Sequence, residues 1–195
     1  MIFSDPNNNM NPGVLKMDRR RFLRLGTFAG IALLSPSSLF ASTFSQPSKE
    51  RRICLYNTNT KEHLELAYFA HGKYLDDPLQ QISHILRDHR TGEITPIDTR
   101  LLDLLHVISL KIQAKSPFHV VSGYRSPSTN TMLRKKNKKV AKNSLHMQGK
   151  AVDVRLPGFK TRSLRRIAMQ MKSGGVGYYP GRKFIHLDVG QIRYW

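Results

Sequence analysis

Two short segments in the C-terminal third of the chain alternate apolar and polar residues. One covers residues 151–156, which read Ala-Val-Asp-Val-Arg-Leu, and the other covers residues 183–189. Alternation with period two and β-branched side chains predict strands, because successive side chains of a strand point to opposite faces. Gly149 lies just before the first segment and permits a backbone turn that a residue with a Cβ resists. This region is therefore constrained to a small sheet that the chain enters through a tight turn.

Histidine and aspartate side chains surround these two predicted strands. His146 precedes the turn and Asp153 lies in the first strand, so the chain folds His146 back beside Asp153. His186 lies in the second strand, and Asp188 shares its face because it follows two residues later. Imidazole nitrogen and carboxylate oxygen are common zinc ligands, and three protein ligands leave a fourth position for water. His146, Asp153 and His186 are thus candidate ligands of a catalytic zinc ion.

Each of these residues also has an ordinary structural explanation. A single histidine among the eight of this chain is more often a hydrogen-bonded structural residue than a ligand. Asp153 and Asp188, taken singly, are explained as a charge at a strand edge and a salt-bridge partner. The prediction of a metal site depends on their combination.

The order of motifs along the chain resembles one peptidase family. The metal motif reads Ser-x-His-x-x-Gly-x-Ala-x-Asp over residues 144–153. Further matching stretches are residues 55–58, 86–93, 97–103, 122–126 and 174–179. On these motifs the chain is similar to the zinc D-Ala-D-Ala peptidases and their hedgehog-like relatives, and within them to the murein endopeptidase K-like branch.

This resemblance implies an exported zinc metallopeptidase that hydrolyses peptide cross-links of peptidoglycan. It assigns zinc to the three candidate ligands, and it implies that Arg125 binds substrate or stabilises a developing oxyanion, a role suited to a permanently charged guanidinium. The bond that is cut stays open between a D,D-carboxypeptide, a D,D cross-link and an mDap-to-mDap cross-link. A cross-link endopeptidase is the first choice.

The general base is the open point of the predicted mechanism. Many members of the wider family place an acid a few residues before the last zinc histidine, where this chain has Arg-Lys-Phe at residues 182–184. Asp188 is the predicted substitute, either as the base or as a residue that orients His186, and the pair of Asp88 and His89 is the next candidate. Without a base, the same ligands fit a non-catalytic zinc-containing module that binds peptidoglycan. A D,D-carboxypeptidase acting on stem peptides is a further alternative.

The amino-terminal segment is typical of an export signal. Three consecutive arginines at residues 19–21 precede Phe-Leu-Arg and an apolar run, and Ala41 is a small residue suited to cleavage. The run is too short to span a bilayer comfortably, because spanning needs about 20 apolar residues. A retained membrane anchor is the alternative to a cleaved twin-arginine signal. We predict the signal over residues 1–41 with Met17 as a possible start, a linker over residues 42–50, and the zinc peptidase domain over residues 51–195.

The chain is strongly basic, with 32 Lys and Arg against 13 Asp and Glu and a formal charge of +19. Such a charge attracts polyanions, which outside the cytoplasm are cell-wall polymers or lipid head groups. A basic run over residues 134–142 lacks the aromatic residues that stack on bases, so nucleic acid is not an expected partner. Cys54 is the only cysteine, which excludes an intramolecular disulfide, and we predict it as a buried strand residue.

The remaining patterns predict an α+β fold. Alternation over residues 52–57 and 63–70, with Asn-Thr-Asn-Thr between them, predicts a hairpin. Helices are predicted from Asp77, from Asp98 and over residues 161–172; further short strands are predicted over residues 118–121 and 176–179, with a last edge at 191–195. We therefore expect a single domain in which an antiparallel sheet carries the zinc site and about three helices flank it.

Overall fold

The computed structural model describes residues 50–195, which form a single α+β domain with one mixed sheet. The strands are β1 (Arg51–Asn57), β2 (His63–Ala70), β3 (Lys73–Tyr74), β4 (Phe118–Ser122), β5 (Ala151–Arg155), β6 (Gly175–Tyr179), β7 (Phe184–Asp188) and β8 (Arg193–Tyr194). The helices are α1 (Asp76–Ile85), α2 (Thr99–Lys111), α3 (Pro127–Lys136) and α4 (Thr161–Gln170). The predicted export signal, and all but the last residue of the predicted linker, lie outside the described residues. Within residues 50–195, no helix has the length and apolar character needed to cross a membrane.

The sheet has the strand order β3-β2-β1-β4-β5-β7-β6-β8. Around the predicted site it is antiparallel as expected, because β5 pairs antiparallel with both β4 and β7. The sheet as a whole is mixed, because β1 pairs parallel with β4 and β6 pairs parallel with β8. Parallel neighbours need a long connection between them, and α1 and α2 lie in the connection from β1 to β4.

The predicted helix starts are right in one case and displaced in another. The side chain of Asp98 accepts a hydrogen bond from the backbone N–H of Arg100 and caps α2, as predicted. Asp77, the predicted start of the other helix, instead lies inside the first turn of α1, and the N-cap is Leu75, which makes no side-chain cap bond. Asp76 and Asp77 still favour this helix end, because negative side chains in the first turn interact favourably with the helix dipole.

The helix α3 is one more than the three that the sequence predicts. The hydroxyl of Ser126 accepts a hydrogen bond from the backbone N–H of Thr129, and Pro127 occupies the first turn. Only Thr129 and Asn130 are buried in this helix, so it has no apolar stripe from which its period could be predicted. Its C-terminal end carries Arg134, Lys135 and Lys136, and the basic side chains of residues 134–142 are all exposed.

The hydrophobic core lies between the helices and one face of the sheet. Fully buried side chains of the core include Leu55, Leu101, Leu105, Ile108, Val120, Val152, Val154, Ile185 and Leu187. Burial of this apolar surface stabilises the central strands. Because the core is closely packed, these strands hold the side chains on their other face in fixed positions. Cys54 is only half-buried, contrary to the prediction, and its Sγ lies 3.5 Å from the Nε2 of His63 at the solvent side of β1.

Candidate metal centre

The pairing of β5 with β7 sets two of the predicted ligands side by side. Asp153 is directly opposite His186 in the antiparallel register. Because strand side chains alternate, Val152 and Val154 enter the core while Asp153 points to the opposite face. His186 is in turn directly opposite Gly177 of β6. Two strands that are distant in sequence thus bring a carboxylate and an imidazole together.

A sharp turn brings the third ligand to the same place. His146 lies in a short 3-10 helix, Leu145–Gln148, which ends at Gly149 with a φ of +65°. A Cβ at residue 149 would collide with the carbonyl oxygen of Pro96, so the backbone conformation and the close approach both require glycine. The backbone N–H of Arg125 donates to the carbonyl of His146 at 3.2 Å and fixes the turn from the other side. The chain folds His146 back beside Asp153, as the sequence predicts.

The three side chains converge into a tight triangle. Nε2 of His146 lies 3.1 Å from Nδ1 of His186, and Oδ1 of Asp153 lies 2.9 Å from Nδ1 of His186 and 3.3 Å from Nε2 of His146. All three residues are buried. A tetrahedral ion with ligands at about 2.0 to 2.2 Å holds its ligand atoms about 3.3 to 3.6 Å apart. The triangle therefore fits a metal ion after a small expansion.

Hydrogen bonds to the outer ring nitrogens give both histidines the tautomer that a metal requires. Nδ1 of His146 lies 2.7 Å from the carbonyl oxygen of Gly123, which can only accept, so Nδ1 carries the proton. Nε2 of His186 lies 2.9 Å from Oδ2 of Asp188 and donates to it. The two inner nitrogens therefore present lone pairs toward the carboxylate of Asp153. Three acceptors that face one another are stabilised by a cation between them.

The charge states of His146 and Asp153 suit a metal, whereas His186 must give up a proton to bind one. Burial lowers the pKa of His146 and keeps its imidazole neutral. Burial opposes protonation of His186 as well, but the neighbouring carboxylates of Asp153 and Asp188 raise its pKa overall, so a metal ion would replace the proton on its inner nitrogen. Although burial disfavours the charged carboxylate of Asp153, its interactions with both histidines lower its pKa. A neutral imidazole and an ionised carboxylate are the forms that coordinate metal ions.

Asp188 lies behind His186, on the outer side of the ring. Its Oδ2 accepts hydrogen bonds from His186 and from Nη2 of Arg193 at 2.7 Å, and its Oδ1 accepts from the backbone N–H groups of Gly175 and Gly190. Burial alone raises the pKa of this carboxyl, but these hydrogen bonds lower it overall. The side chain is fully buried. The predicted contact with His186 is therefore present, and it is made through the nitrogen that points away from the other two ligands.

Arg125 borders the ligand triangle. Its Nη2 lies 3.4 Å from Oδ2 of Asp153 and 3.2 Å from the hydroxyl of Ser122. Only 12% of its side chain is exposed, and its Nε has no hydrogen-bond partner among residues 50–195. Burial lowers the pKa of the guanidinium, and the charge of Asp153 opposes that effect. A permanently charged guanidinium beside the candidate ligands suits a substrate oxygen that carries partial or full negative charge.

Asp88 holds the segment that carries Arg125. One carboxylate oxygen accepts from the backbone N–H of Arg90 at 2.9 Å, and the other accepts from the backbone N–H of Ser126 at 2.8 Å. Burial raises the pKa of Asp88, but these bonds and one from the side chain of Thr129 lower it to about 2. The carboxylate thus ties the loop after α1 to the N-terminus of α3, where Arg125 immediately precedes the cap.

Two C-terminal residues that the sequence analysis missed also contact the site. Arg193 binds Asp188, and the ring of Trp195 lies 5.3 Å from the ring of His186, measured between centroids. No motif spacing marks either residue. They reach the site because β8 pairs parallel with β6, which only the folded sheet shows.

The chain is similar to known proteins over most of its length. Residues 45–195 match a family model described as peptidoglycan L,D-endopeptidase MepK. The protein of that name from Escherichia coli (strain K12) is 37% identical over 178 residues, which cover 91% of this chain and 97% of that protein. The probable peptidoglycan L,D-endopeptidase MepK of Haemophilus influenzae is 36% identical over 180 residues, which cover 91% of this chain and 95% of that protein. The chain therefore belongs to the peptidoglycan L,D-endopeptidase MepK family.

Proposed function

We propose that this protein is a zinc-dependent endopeptidase that hydrolyses an L,D peptide bond in the cross-links of peptidoglycan. The observation that carries the proposal is the triangle of His146, Asp153 and His186, whose inner atoms are all lone-pair donors. Membership of the family supports the reaction class, and the names of its relatives support the bond. The motifs of the sequence, through their family resemblance, also favour a cross-link endopeptidase.

Zinc is the metal that the donor set favours. Two imidazole nitrogens and one carboxylate oxygen are typical of catalytic zinc sites, which keep one position open. When bound, zinc supplies a Lewis acid that lowers the pKa of a water molecule and polarises the scissile carbonyl. The protein's own contribution is to orient both imidazoles, through the carbonyl of Gly123 and the carboxylate of Asp188.

Arg125 is proposed to bind the substrate oxygen on which negative charge develops. Asp153 and Ser122 both contact its Nη2, so the guanidinium is oriented before substrate arrives. Such preorganisation matters because a donor that is already in place costs no reorganisation during the reaction.

Of the two roles predicted for Asp188, we propose that it orients His186. The carboxylate is fully buried and already accepts hydrogen bonds from one imidazole, one guanidinium and two backbone N–H groups. A general base must reach the proton that it accepts, directly or through one water. Asp188 lies on the outer side of the ring, which suits positioning.

We further propose that the protein acts outside the cytoplasm, with residues 1–41 as a twin-arginine export signal. The exposed basic side chains of residues 134–142 are available to attract anionic wall polymers or lipid head groups. Nucleic acid is not part of this proposal.

One observation favours the alternative of a non-catalytic peptidoglycan-binding module. The carboxylate that the sequence offers as a base, Asp188, is enclosed by protein groups on every acceptor position. A module that binds peptidoglycan without cutting it needs no base, and it would use the same metal ligands.

Digestion of purified peptidoglycan separates these functions. We expect the zinc-loaded protein to release fragments cut at an L,D bond, to lose activity with a chelator and to regain it with zinc. His146→Ala and His186→Ala should each lose most of the bound zinc by elemental analysis, whereas His84→Ala, at an exposed histidine of α1, should keep it.

Three results would count against parts of the proposal. Full zinc in both ligand variants would reject the metal site. Tight binding of peptidoglycan without cleavage would favour the binding module. Release of terminal D-alanine alone would indicate a D,D-carboxypeptidase.

A further inference from the structure

The last residue of the chain lies against a metal ligand and is still open to solvent. The ring of Trp195 is centred 5.3 Å from the ring of His186, and 46% of the residue is exposed. A large aromatic side chain that stays half open beside a buried ligand keeps much of its apolar surface in water. That surface is available to a molecule that approaches the ligands.

The indole is held firmly in this position. The backbone N–H of Trp195 donates to the carbonyl of Val176, and its carbonyl accepts from the N–H of Tyr178 at 2.9 Å. Its Nε1 donates to the hydroxyl of Tyr179 at 3.0 Å, and the guanidinium of Arg193 lies 5.2 Å from the ring centre. Because the ring is already ordered, a ligand that packs on it pays little of the usual cost of ordering a side chain.

The backbone beneath the ring is shaped to receive it. Gly177 is the residue directly opposite His186 in β6, and a Cβ there would lie 2.7 Å from Cε2 of the indole. The indole thus occupies the space that the side chain of any residue other than glycine would need at position 177. This close contact with Gly177 places the indole ring next to His186.

The aromatic surface continues to Tyr179, whose hydroxyl accepts the hydrogen bond from Nε1 of Trp195. The ring of Tyr179 stacks on that of Phe184, with centroids 4.7 Å apart, and 37% of Tyr179 is exposed. Tyr179 and Trp195 therefore form one connected aromatic surface, and its indole part lies next to His186.

We propose that Trp195 forms a substrate subsite, in which its indole packs against the aliphatic side chain of the peptide residue beside the scissile bond. This inference rests on the proposed function, because it takes the ligand to be a peptidoglycan peptide. An indole face buries aliphatic groups well and adds no charge next to the metal. Trp195 is then a determinant of substrate affinity, separate from the metal ligands and from Arg125.

Fluorescence tests the subsite without any substitution, because Trp195 is the only tryptophan of the chain. Soluble cross-linked peptide fragments released from peptidoglycan by a muramidase are mixed rapidly with the zinc-loaded protein. We expect the emission to shift to shorter wavelength before cleavage, as the exposed face becomes covered. Unchanged emission at saturating fragment would overturn the proposal.

Variants of Trp195 distinguish a direct contact with the substrate from a role in supporting His186. Trp195→Ala should raise KM by about 10-fold with little change in kcat, as expected for truncating an aromatic contact residue, whereas Trp195→Phe should stay within about threefold. Both should keep the zinc content of the unmodified protein. Tyr194→Ala is the matched control, because Tyr194 directly precedes Trp195 but its hydroxyl donates to the carbonyl of Met169.

The outcomes distinguish this proposal from the proposed function. Loss of zinc together with activity in Trp195→Ala would mean that the indole only supports His186, and an unchanged KM would mean that it contacts no substrate; either result overturns the subsite. If the unmodified protein cuts nothing but its emission shifts, and calorimetry shows that Trp195→Ala weakens fragment binding by about 10-fold, the subsite stands while the endopeptidase proposal fails.

Discussion

At the scale of single residues, the groups behind the histidines decide what the histidines can do. The carbonyl of Gly123 and the carboxylate of Asp188 hold the outer ring N–H groups, so the inner nitrogens of His146 and His186 are left as lone pairs. A carbonyl and a carboxylate hold a ring with different strengths, because a carboxylate also stabilises positive charge on the imidazole. The metal affinity of this site should therefore be especially sensitive to Asp188.

Asp188→Asn tests the positioning role. The amide keeps the shape of the side chain but removes its charge, so we expect zinc affinity to fall by roughly 10- to 100-fold together with activity at limiting zinc. Zinc occupancy and peptidoglycan cleavage are measured on the same preparation. Asp77→Asn, at an exposed carboxylate of α1, is the control and should behave like the unmodified protein. Full zinc affinity with turnover lowered by roughly 100-fold or more would assign Asp188 to proton transfer instead.

At the scale of elements, the site depends on two connections at which the chain changes direction. One is the 3-10 turn that ends at Gly149, where the backbone adopts a positive φ and passes the carbonyl of Pro96. The other is the approach to α3, where Asp88 binds the backbone of Ser126. Each connection positions a side chain of the proposed site, His146 in the first case and Arg125 in the second.

Gly149→Ala should destabilise the fold more than Gly158→Ala. Both glycines have a positive φ, which costs a residue with a Cβ roughly 1 to 2 kcal/mol. Only residue 149 also meets a backbone atom, since nothing lies within 4 Å of a Cβ at residue 158. We expect a loss of about 3 kcal/mol at residue 149 and about 1 kcal/mol at residue 158, measured by urea unfolding. Equal losses of unfolding free energy would show that the contact with the carbonyl oxygen of Pro96 adds no cost at residue 149.

Asp88→Asn should change the pH dependence of stability. The pKa of Asp88 is about 2 in the fold, below its ordinary value of 3.8, so its contribution is fully present above about pH 4 and is lost as the pH falls through about 2. A shift of this size corresponds to about 2 kcal/mol. Urea unfolding should therefore show the variant to be less stable by about 2 kcal/mol at pH 7, with the difference shrinking toward pH 2. A difference that is the same at both pH values would contradict the ionic role of Asp88.

At the scale of the whole molecule, the sheet keeps its two tasks on opposite faces. Val152, Val154 and their neighbours in β7 build the core on one face, and Asp153 and His186 meet on the other. The excess of basic residues gives the chain a formal charge of +19, which favours anionic surroundings. These features agree with an enzyme that works in the cell wall after export.

Replacement of Arg19, Arg20 and Arg21 by lysine tests the proposed route of export. Lysine keeps the charge, but a twin-arginine signal is read by a receptor as an address, so the variant should stay in the cytoplasm. Cell fractionation followed by immunodetection measures its location. Arg24→Lys is the control and should be exported. Undiminished export of the triple variant would indicate a general secretory signal or a membrane anchor.

The sequence by itself determined those features whose causes lie within a few neighbouring residues. Alternation predicted the β1–β2 hairpin and the strands β5 and β7, the carboxylate of Asp98 marked the start of α2, and Gly149 marked the turn after His146. The motifs and the family resemblance also singled out His146, Asp153 and His186, which the fold brings together. By contrast α3 has almost no apolar stripe, and without that periodicity its start and end could not be predicted.

Only the tertiary structure decided how distant residues meet. His146 and His186 are 40 residues apart and come within 3.1 Å because β5 and β7 pair in one register. The parallel pairing of β8 with β6 likewise brings Arg193 to Asp188 and Trp195 to His186. The enclosure of Asp188 follows from the same packing. Periodicity and turn chemistry act over a few residues, whereas strand register and burial depend on the free energy of packing the whole sheet, which no local stretch of sequence contains.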